Sequence, residues 1–331
     1  MNSFGRIFRI SIYGESHGHE AGIIIDGCPP GIPVDEQLFL QDLERRKPGA
    51  KGTTPRVEAD YPIIVSGVFN GYSTGAPMVI RFENQNTRSE AYEKQRDIPR
   101  PGHADFTAHA KYKGYEDFRG SGHFSGRLTV GIVAAGALAK KVTSYILGKE
   151  ITFTADILEV GGMKDVEAGI QKAIQAKDSV GGIIECRIGG LPVGLGEPFF
   201  DSVESVISHL VFSIPAVKGI EFGAGFRAAE MFGSGHNDAI LDASGRTATN
   251  HAGGIVGGIT NGNEIVFRVV VKPTSSTPME QTSYNWETGQ CETFSYKGRH
   301  DLCIALRVPV ILEAAAAIAI ADLALIHKAY Q

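Results

Sequence analysis

Histidines beside glycine are the first residues of this sequence that could do chemistry. Six of the ten histidines have a glycine adjacent or one residue further away: His17, His19, His103, His123, His236 and His251. An imidazole can donate or accept a proton near neutral pH. Glycine lets the backbone approach a flat or charged ligand closely. The combination predicts acid–base chemistry on a bound small molecule.

The segment GESHG at 14–18 matches the Gly-x-Ser-x-Gly elbow of serine hydrolases, with Ser16 as the nucleophile. That elbow requires a strand, a sharp turn and then a helix. Residues 22–26 read instead as a second strand. This favours a strand-to-strand turn that offers backbone N–H groups and imidazoles to an anion. A serine hydrolase remains an alternative.

Cationic and hydroxyl side chains cluster at three further places. RGSGHFSGR at 119–127 brings glycines and Ser125 to a helix start, KPTSS at 272–276 follows a buried strand, and RRKPGAK at 45–51 ends a helix. Such groups bind phosphates and carboxylates. A dinucleotide fingerprint at 120–126 fails because no buried strand precedes it. Zinc is a rival ligand, but the chain has neither a His-Glu-x-x-His motif nor Cys/His ligand spacing.

The elements that must position these residues follow from hydrophobic periodicity and from turn residues. We expect strands at 7–13, 22–26, 61–68, 78–82, 151–160, 181–188 and 264–271, and helices at 35–47, 128–147, 165–176, 201–213 and 309–329. Residues 84–123 are polar, basic and aromatic, and they are too long for a plain connection. Loops of this length are usually functional or disordered.

No linker or change of composition divides the chain, so we predict one α/β or α+β domain over residues 1–331. A weak internal echo pairs GIII at 22–25 and GIPV at 31–34 with GIIE at 182–185 and GLPV at 190–193. We interpret this echo as the duplication of one βα unit.

Composition limits the function classes. The net charge of −5 gives no general attraction for nucleic acid or an anionic membrane, so any bound anion needs a local cluster of positive charge. The most apolar stretch, 308–326, is interrupted by Glu313 and Asp322, which argues against a membrane span. The N-terminus has no secretory pattern, and the four cysteines form no Cys-x-x-Cys pair. We expect a cytoplasmic protein with reduced thiols.

Taken together and in order, these motifs resemble chorismate synthase, from FGRIFR at 4–9 to the C-terminal helix. The matching segments are GESHG at 14–18, DGCPPGIP at 26–33, RRKPG at 45–49, TTPRVEAD at 53–60, RPGHAD at 100–105, AVKG at 216–219, NHAGGI at 250–255, KPTSS at 272–276 and KGRHD at 297–301. The resemblance implies a single-domain α+β sandwich, with helices between two antiparallel sheets, assembled as a homotetramer.

The resemblance also implies an activity. This family of lyases eliminates phosphate from 5-enolpyruvylshikimate-3-phosphate to give chorismate, in the shikimate pathway of aromatic amino-acid biosynthesis. Reduced FMN is required although there is no net redox change. A chain of this length leaves no room for a flavin reductase domain, so an external source of reduced flavin is expected. A non-catalytic flavin- or phosphate-binding module is the alternative.

The resemblance also assigns site residues, each by its position in a matching motif. His17 and His103 match the catalytic histidines, with His103 on the departing phosphate and His17 toward the flavin, while Ser16, Ser125 and Asp301 match the assisting hydroxyls and the carboxylate near flavin N5. The implied FMN contacts are His123, Phe124, Ser125, Pro215, Ala216, Gly257, Lys272, Pro273, Thr274, Ser275, Ser276 and Arg299. Arg46 and Lys51 match basic positions on the substrate or NADP side, and no metal is implied.

The chain departs from the family pattern in the motif at 119–129 and at Lys51, where an arginine is common. Many members read RGGGRSSARET where residues 119–129 read RGSGHFSGRLT. His123 replaces an arginine, Phe124 a serine and Leu128 a glutamate. A titratable imidazole therefore stands where a permanent guanidinium is usual, which makes the flavin contacts at 123 and 124 the ones most in need of a test.

Overall fold

The computed structural model describes residues 2–93, 96–296 and 300–330. The first half contains β1 Ser3–Phe4, β2 Arg9–Gly14, β3 Glu20–Asp26, α1 Gln37–Arg46, β4 Ile63–Ser66, β5 Val68–Phe69, β6 Tyr72–Ser73, β7 Met78–Glu83, α2 Glu90–Glu93, α3 Asp105–Tyr112 and α4 Thr129–Leu147. The second half contains β8 Thr152–Val160, α5 Val166–Ala176, β9 Gly182–Gly189, α6 Val203–Val211, β10 Val217–Phe222, α7 Gly233–His236, β11 Ile255–Val256, β12 Ile259–Thr260, β13 Ile265–Val271, β14 Glu280–Asn285, β15 Gln290–Ser295 and α8 Val308–Ala329.

The first sheet is antiparallel, with strand order β1-β2-β3-β7-β4. Alternation decides its inner face: Ile23 and Ile25 of β3 are fully buried, whereas Ile24 between them is exposed. β2 and β3 pair directly, Gly14 opposite Ala21. The GESHG segment is therefore the turn of a hairpin, which confirms the strand expected after it and removes the elbow geometry of a serine hydrolase.

The second sheet repeats the topology of the first. The order β2-β3-β7-β4 has its counterpart in β8-β9-β13-β10, and every pairing is antiparallel. Each half also inserts a two-stranded hairpin before its last strand, β5–β6 in the first half and β11–β12 in the second. The duplication inferred from the sequence is present and extends over the whole sheet.

The residue register of that duplication differs from the sequence echo. Ser73 Oγ accepts the N–H of Ile32 at 2.9 Å and donates to the carbonyl of Pro29. Thr260 Oγ1 makes the same pair of bonds, with Leu195 N–H at 2.9 Å and Pro192 O.

Pro29 is thus equivalent to Pro192, and Gly31 to Gly194, rather than to Gly190 as the echo implied. The echo was therefore three to four residues out of register. The error shows in burial, since the echo matched exposed Ile24 with buried Ile184. An odd shift exchanges the two faces of a strand.

The helices lie between the two sheets, as the expected sandwich requires. α4 packs on β3 and β7, α8 packs on β8 and β9, and α4 and α8 pack on each other. Their contact is close: a Cβ added at Gly136 would lie 2.2 Å from the Cβ of Ala314. Glycine at this position lets the two central helices approach.

Two helical segments, Gly126–Leu147 and Ile304–Ala329, are long and apolar enough to cross a membrane by length and composition alone, but most of each is buried within the protein. The two acids of α8 are also buried and paired. Glu313 accepts hydrogen bonds from Arg45 and Lys140, and Asp322 accepts three backbone N–H groups of residues 6–8 at 2.7–2.9 Å. These are the surroundings of core helices.

The expected strands and long helices are all present, within a few residues of their predicted bounds. Several elements were missed, among them β10, an edge strand of the second sheet, and very short elements such as β1, β11 and β12. Two further omissions are longer segments. α3 lies in the segment predicted as a long loop, and the β14–β15 hairpin lies in a segment with no predicted structure. Both faces of that hairpin are largely polar and exposed, so it lacks the apolar alternation that marked the other strands.

Candidate active site

The site is a cavity of about 700 Å³ at the N-terminal ends of both central helices. Thr129 and Ile132 of α4 and Val308 and Ile311 of α8 line it. N-terminal turns carry unpaired N–H groups and partial positive charge, which favours an anion. The volume lies within the range of small-molecule sites. The repeated topology therefore delivers one helix N-terminus from each half to the same cavity.

Two arginines hold a buried carboxylate in this wall, and a third arginine lies beside them. Arg46 donates to Asp60 Oδ2 at 2.5 Å, and Arg127 donates to Asp60 Oδ1. Arg307 is paired with Asp301 at 3.3 Å and donates to the carbonyl of Arg46 at 3.1 Å. Burial lowers the pKa of Arg46 to about 10, with Asp60 opposing and the neighbouring Arg307 and Arg127 adding to the decrease.

This arrangement leaves capacity for a ligand. The Nε of Arg46 is buried and has no hydrogen-bond partner among the described residues. An unpaired buried donor is costly unless a bound group satisfies it. The cluster can therefore bind a phosphate or carboxylate group.

The β2–β3 turn brings Ser16 to the cavity and holds it with Arg56. Arg56 donates to Ser16 Oγ and to the Ser16 carbonyl, both at 2.9 Å, and is itself paired with buried Glu58 at 2.8 Å. The Ser16 hydroxyl is thus hydrogen-bonded to a guanidinium. His17 contacts Ser89 Oγ through Nδ1 at 2.9 Å.

His103 belongs to a buried group of charges. Its Nδ1 lies 2.7 Å from Asp105 Oδ1, and Arg100 holds the same carboxylate through two bonds of 2.7 and 2.8 Å. Burial lowers the pKa of His103, Asp105 opposes this, and Arg100 and Lys272 lower it further. For Asp105, hydrogen bonds from Arg100 and His103 outweigh the effect of burial and hold its pKa well below the usual value.

The KPTSS segment forms a second polar wall. Lys272 donates to Ser275 Oγ at 2.7 Å and to the carbonyl of Gly102, which connects this segment to the RPGHAD motif. Burial and the neighbouring Lys218 lower the pKa of Lys272. Thr274 Oγ1 is buried without a partner among the described residues, so this wall also has an unused hydrogen-bonding group.

Most of the residues singled out from the sequence line this one cavity. They are Ser16, Arg46, His103, His123, Phe124, Ser125, Pro215, Ala216, Lys272, Pro273, Thr274, Ser275, Ser276 and Asp301. His123 donates through Nδ1 to the Gly14 carbonyl, 2.8 Å away. Because a carbonyl only accepts, Nδ1 carries the proton.

Six residues named from the sequence are not among those that line the cavity: His17, His19, Lys51, His236, His251 and Gly257. Lys51 is exposed and donates to Glu167 and Gln171 of α5. Gly257 is in the turn between β11 and β12 and does not line the cavity. His17 is buried beside Gly120, behind the lining residues. Arg299 is outside the described residues.

Sequence reasoning missed several wall residues. Asp60 and Arg127 end the quoted motifs TTPRVEAD and RGSGHFSGR but were given no role of their own, and Arg307 lies in no motif. His300 also lines the cavity, next to the predicted site residue Asp301. Burial lowers the pKa of His300 to about 4, and the neighbouring Arg100 and His103 lower it further. A buried charge in an otherwise apolar segment, such as Arg307 before α8, is the signal that could have identified them.

Comparison with known proteins agrees with this geometry. Residues 8–325 match the family model described as Chorismate synthase. A chorismate synthase from Chitinophaga pinensis is 67% identical over 328 residues, covering 99% of this chain and 98% of that protein. One from Methanocaldococcus jannaschii is 40% identical over 363 residues, covering 98% and 96%.

The fold agrees as well. A crystal structure of chorismate synthase superimposes with a TM-score of 0.72 at 25% identity, covering 97% of this chain and 92% of that chain. The match includes both sheets and the helices between them, since it spans nearly the whole length. The chain belongs to the chorismate synthase family, lyases of aromatic amino-acid biosynthesis.

Proposed function

We propose that this protein eliminates phosphate from 5-enolpyruvylshikimate-3-phosphate, with loss of the C6 hydrogen, to give chorismate, and that it requires reduced FMN. The observation that carries the proposal is the buried arginine cluster around Asp60 at two helix N-termini, with Arg46 Nε unpaired. The substrate carries a phosphate and two carboxylates, and such a cluster binds these groups through charge-assisted hydrogen bonds.

His103 acts as the acid at the departing phosphate. Its imidazole lies in the cavity wall with Nδ1 against Asp105, which leaves Nε2 as the atom that can exchange a proton with a ligand. A lowered pKa makes the imidazolium a better proton donor. Asp105 remains ionised, so it stabilises the positive charge when His103 is protonated.

The flavin side of the site comprises Ser125, Pro215, Ala216 and the KPTSS segment, together with His123 and Phe124. Thr274 Oγ1 and the Ser276 hydroxyl supply groups for a polar edge or a phosphate. When bound, reduced FMN supplies electron density to the breaking C–O bond and takes up the C6 hydrogen. Asp301 accepts the Thr54 N–H at 2.9 Å and would hold a proton at that side of the cavity.

Further parts of the proposal concern the whole protein. We propose that residues 1–331 act as one domain, since a single buried core continues across both halves. We also propose a cytoplasmic homotetramer that depends on an external flavin reductant, on the basis of the family resemblance. Arg46 is assigned to substrate binding; Lys51 and Gly257 could join the site only after a rearrangement or through another subunit.

The test is turnover under anaerobic conditions. The purified protein is mixed with photoreduced FMN and 5-enolpyruvylshikimate-3-phosphate, and phosphate and chorismate are measured. We expect both products in equal amounts and none with oxidised FMN in air. Failure to release phosphate with fully reduced flavin would refute the proposal and favour a non-catalytic binding module.

A further inference from the structure

The backbone between Arg119 and His123 has an unusual conformation. Gly120, Ser121 and Gly122 have φ values of 58°, 70° and 50°. A Cβ at Gly122 would lie 2.0 Å from the carbonyl oxygen of Asp117, and one at Gly120 would lie 2.3 Å from His17 Cδ2. The glycines are therefore required by space as well as by φ.

Ser121 is the exception in this turn, because it carries a side chain where φ favours glycine. A non-glycine residue in the left-handed region is uncommon and strained. Packing does not explain the side chain, since Ser121 lies between the main cavity and a smaller one of about 160 Å³ and lines both. What it does contact is polar.

The Ser121 hydroxyl connects two functional side chains. Its Oγ accepts from Arg100 Nη2 at 3.0 Å and lies 3.2 Å from His103 Nε2. On the other side of the ring, Asp105 Oδ1 accepts the hydrogen bond of Nδ1–H at 2.7 Å, the shorter of two contacts at that nitrogen, since Arg100 Nη2 lies 3.1 Å away. Neutral His103 therefore has Nε2 as an acceptor, and the serine O–H can donate to it.

A hydroxyl suits this place because it can both donate and accept. When Nε2 is protonated, the same oxygen can accept its N–H by rotating the hydroxyl hydrogen. The partner of His103 is thus retained before and after a proton is transferred. Neither a carboxylate nor an ammonium group offers both roles.

We propose that Ser121 is a positioning residue for His103, whose hydroxyl holds the Nε2 side of the imidazole at the cavity wall in both protonation states. The consequence for turnover rests on the proposed function of His103; the hydrogen bond itself does not. In chain order and contact this group also resembles a Ser-His-Asp triad, but the Arg100 donor occupies an Oγ lone pair that a nucleophile would need.

Two substitutions separate the hydroxyl from the backbone strain. Ser121→Gly removes both, whereas Ser121→Ala removes the hydroxyl and keeps the strain. We expect kcat to fall about tenfold or more in both, the scale of one lost hydrogen bond, with KM within about twofold. We expect Tm to rise by about 2 °C in Ser121→Gly only.

The ¹⁵N NMR shifts of His103 in the ligand-free protein provide the readout that does not depend on turnover. We expect the Nε2 signal to move in both variants and to stay unchanged in the control Ser89→Ala, which removes the hydroxyl beside His17 instead. If Ser121→Gly keeps the wild-type kcat and the wild-type His103 shifts, the serine is merely structural and the inference is wrong.

Two other outcomes are also decisive. If the wild-type protein fails to turn over the substrate, the proposed function fails, and the NMR shifts alone then support or overturn the positioning role. Covalent labelling of Ser121 by a fluorophosphonate would identify it as a nucleophile and would overturn the inference.

Discussion

The two halves of the molecule share a scaffold but contribute differently to the site. The first half supplies two ion pairs: the buried Arg46–Asp60, whose arginine ends α1, and the partly buried Arg100–Asp105, whose aspartate begins α3. The second half supplies Arg307–Asp301, a longer pair at 3.3 Å, together with the KPTSS hydroxyls. The β2–β3 turn of the first half carries Ser16 of the cavity wall. The equivalent connection of the second half joins β8 to β9 through residues 161–181, all described, and places no side chain in that wall.

The difference indicates which parts of a duplicated fold can change. Strand order, hairpin insertions and the Ser73 and Thr260 hydrogen bonds are retained in both halves, because they determine how each sheet forms. The connections at the cavity end are free of that constraint and hold the charges. We infer that proton transfer belongs chiefly to the first half.

The largest effect is expected from removing the first-half histidine. His103→Asn should lower kcat by about 10²- to 10⁴-fold, the range for a lost general acid, with little loss of substrate binding. His209→Asn changes a cavity histidine of the second half, and we expect less than about tenfold. Steady-state phosphate release measures both. Equal losses would contradict the assignment of proton transfer to the first half.

Arg127 and Arg307, which precede α4 and α8, allow a matched comparison of stability. Arg127→Met removes a guanidinium that is 4% exposed and paired with Asp60, and it should cost about 2–3 kcal/mol of unfolding free energy because buried Asp60 loses one of its two guanidinium donors and keeps only Arg46. Arg307→Met breaks a longer, less buried pair and should cost about 1–2 kcal/mol. Urea unfolding measures the difference. A larger loss of unfolding free energy in Arg307→Met than in Arg127→Met would show that the second half holds the more critical charge.

The pH dependence of stability tests the contact between the halves. Burial, with Arg100 and His103 of the first half, lowers the pKa of His300 from 6.5 to about 4. Between these values the unfolded chain binds more protons, so stability should be complete above pH 6.5 and fall as the pH drops toward 4. The loss from this group is at most about 3 kcal/mol.

Thermal unfolding of wild type and His300→Gln between pH 7 and 4 measures this effect. The substitution should flatten the curve over that window, since glutamine does not titrate. An unchanged slope would mean that the pKa of His300 is not lowered in the folded protein, by burial or by the first-half charges.

The smallest effects concern the shared scaffold. Ser73→Ala and Thr260→Val each leave a buried N–H without its hydroxyl partner, and each should cost about 1–2 kcal/mol. Because the two sites lie in different sheets, the losses should add in the double variant. Urea unfolding of the three variants checks this. If only one of the two substitutions lowered the free energy of unfolding, Ser73 and Thr260 would not be equivalent in the two halves.

Sequence predicted the scaffold better than the site. Apolar alternation marked β3 and β9 because burial acts on every second residue, and the motif resemblance brought His103 and Lys272 to one wall. The pairing of Arg127 with Asp60 joins residues 67 apart, and such contacts leave no local pattern. The strained Ser121 was invisible for another reason, since φ is set by neighbours that the sequence alone does not position. Lys51 matched a motif but faces α5.

The contact between Gly136 and Ala314 has a consequence for the origin of the chain. Each half presents a helix face that the other half covers, so a half-length ancestor would have needed a second copy of itself to bury that face. Its cavity would then have lain on a symmetry axis and presented identical side chains from both sides. Fusion of two such copies would have removed that identity. The proposed reaction, with an acid on one side of the substrate and a flavin on the other, requires unlike walls.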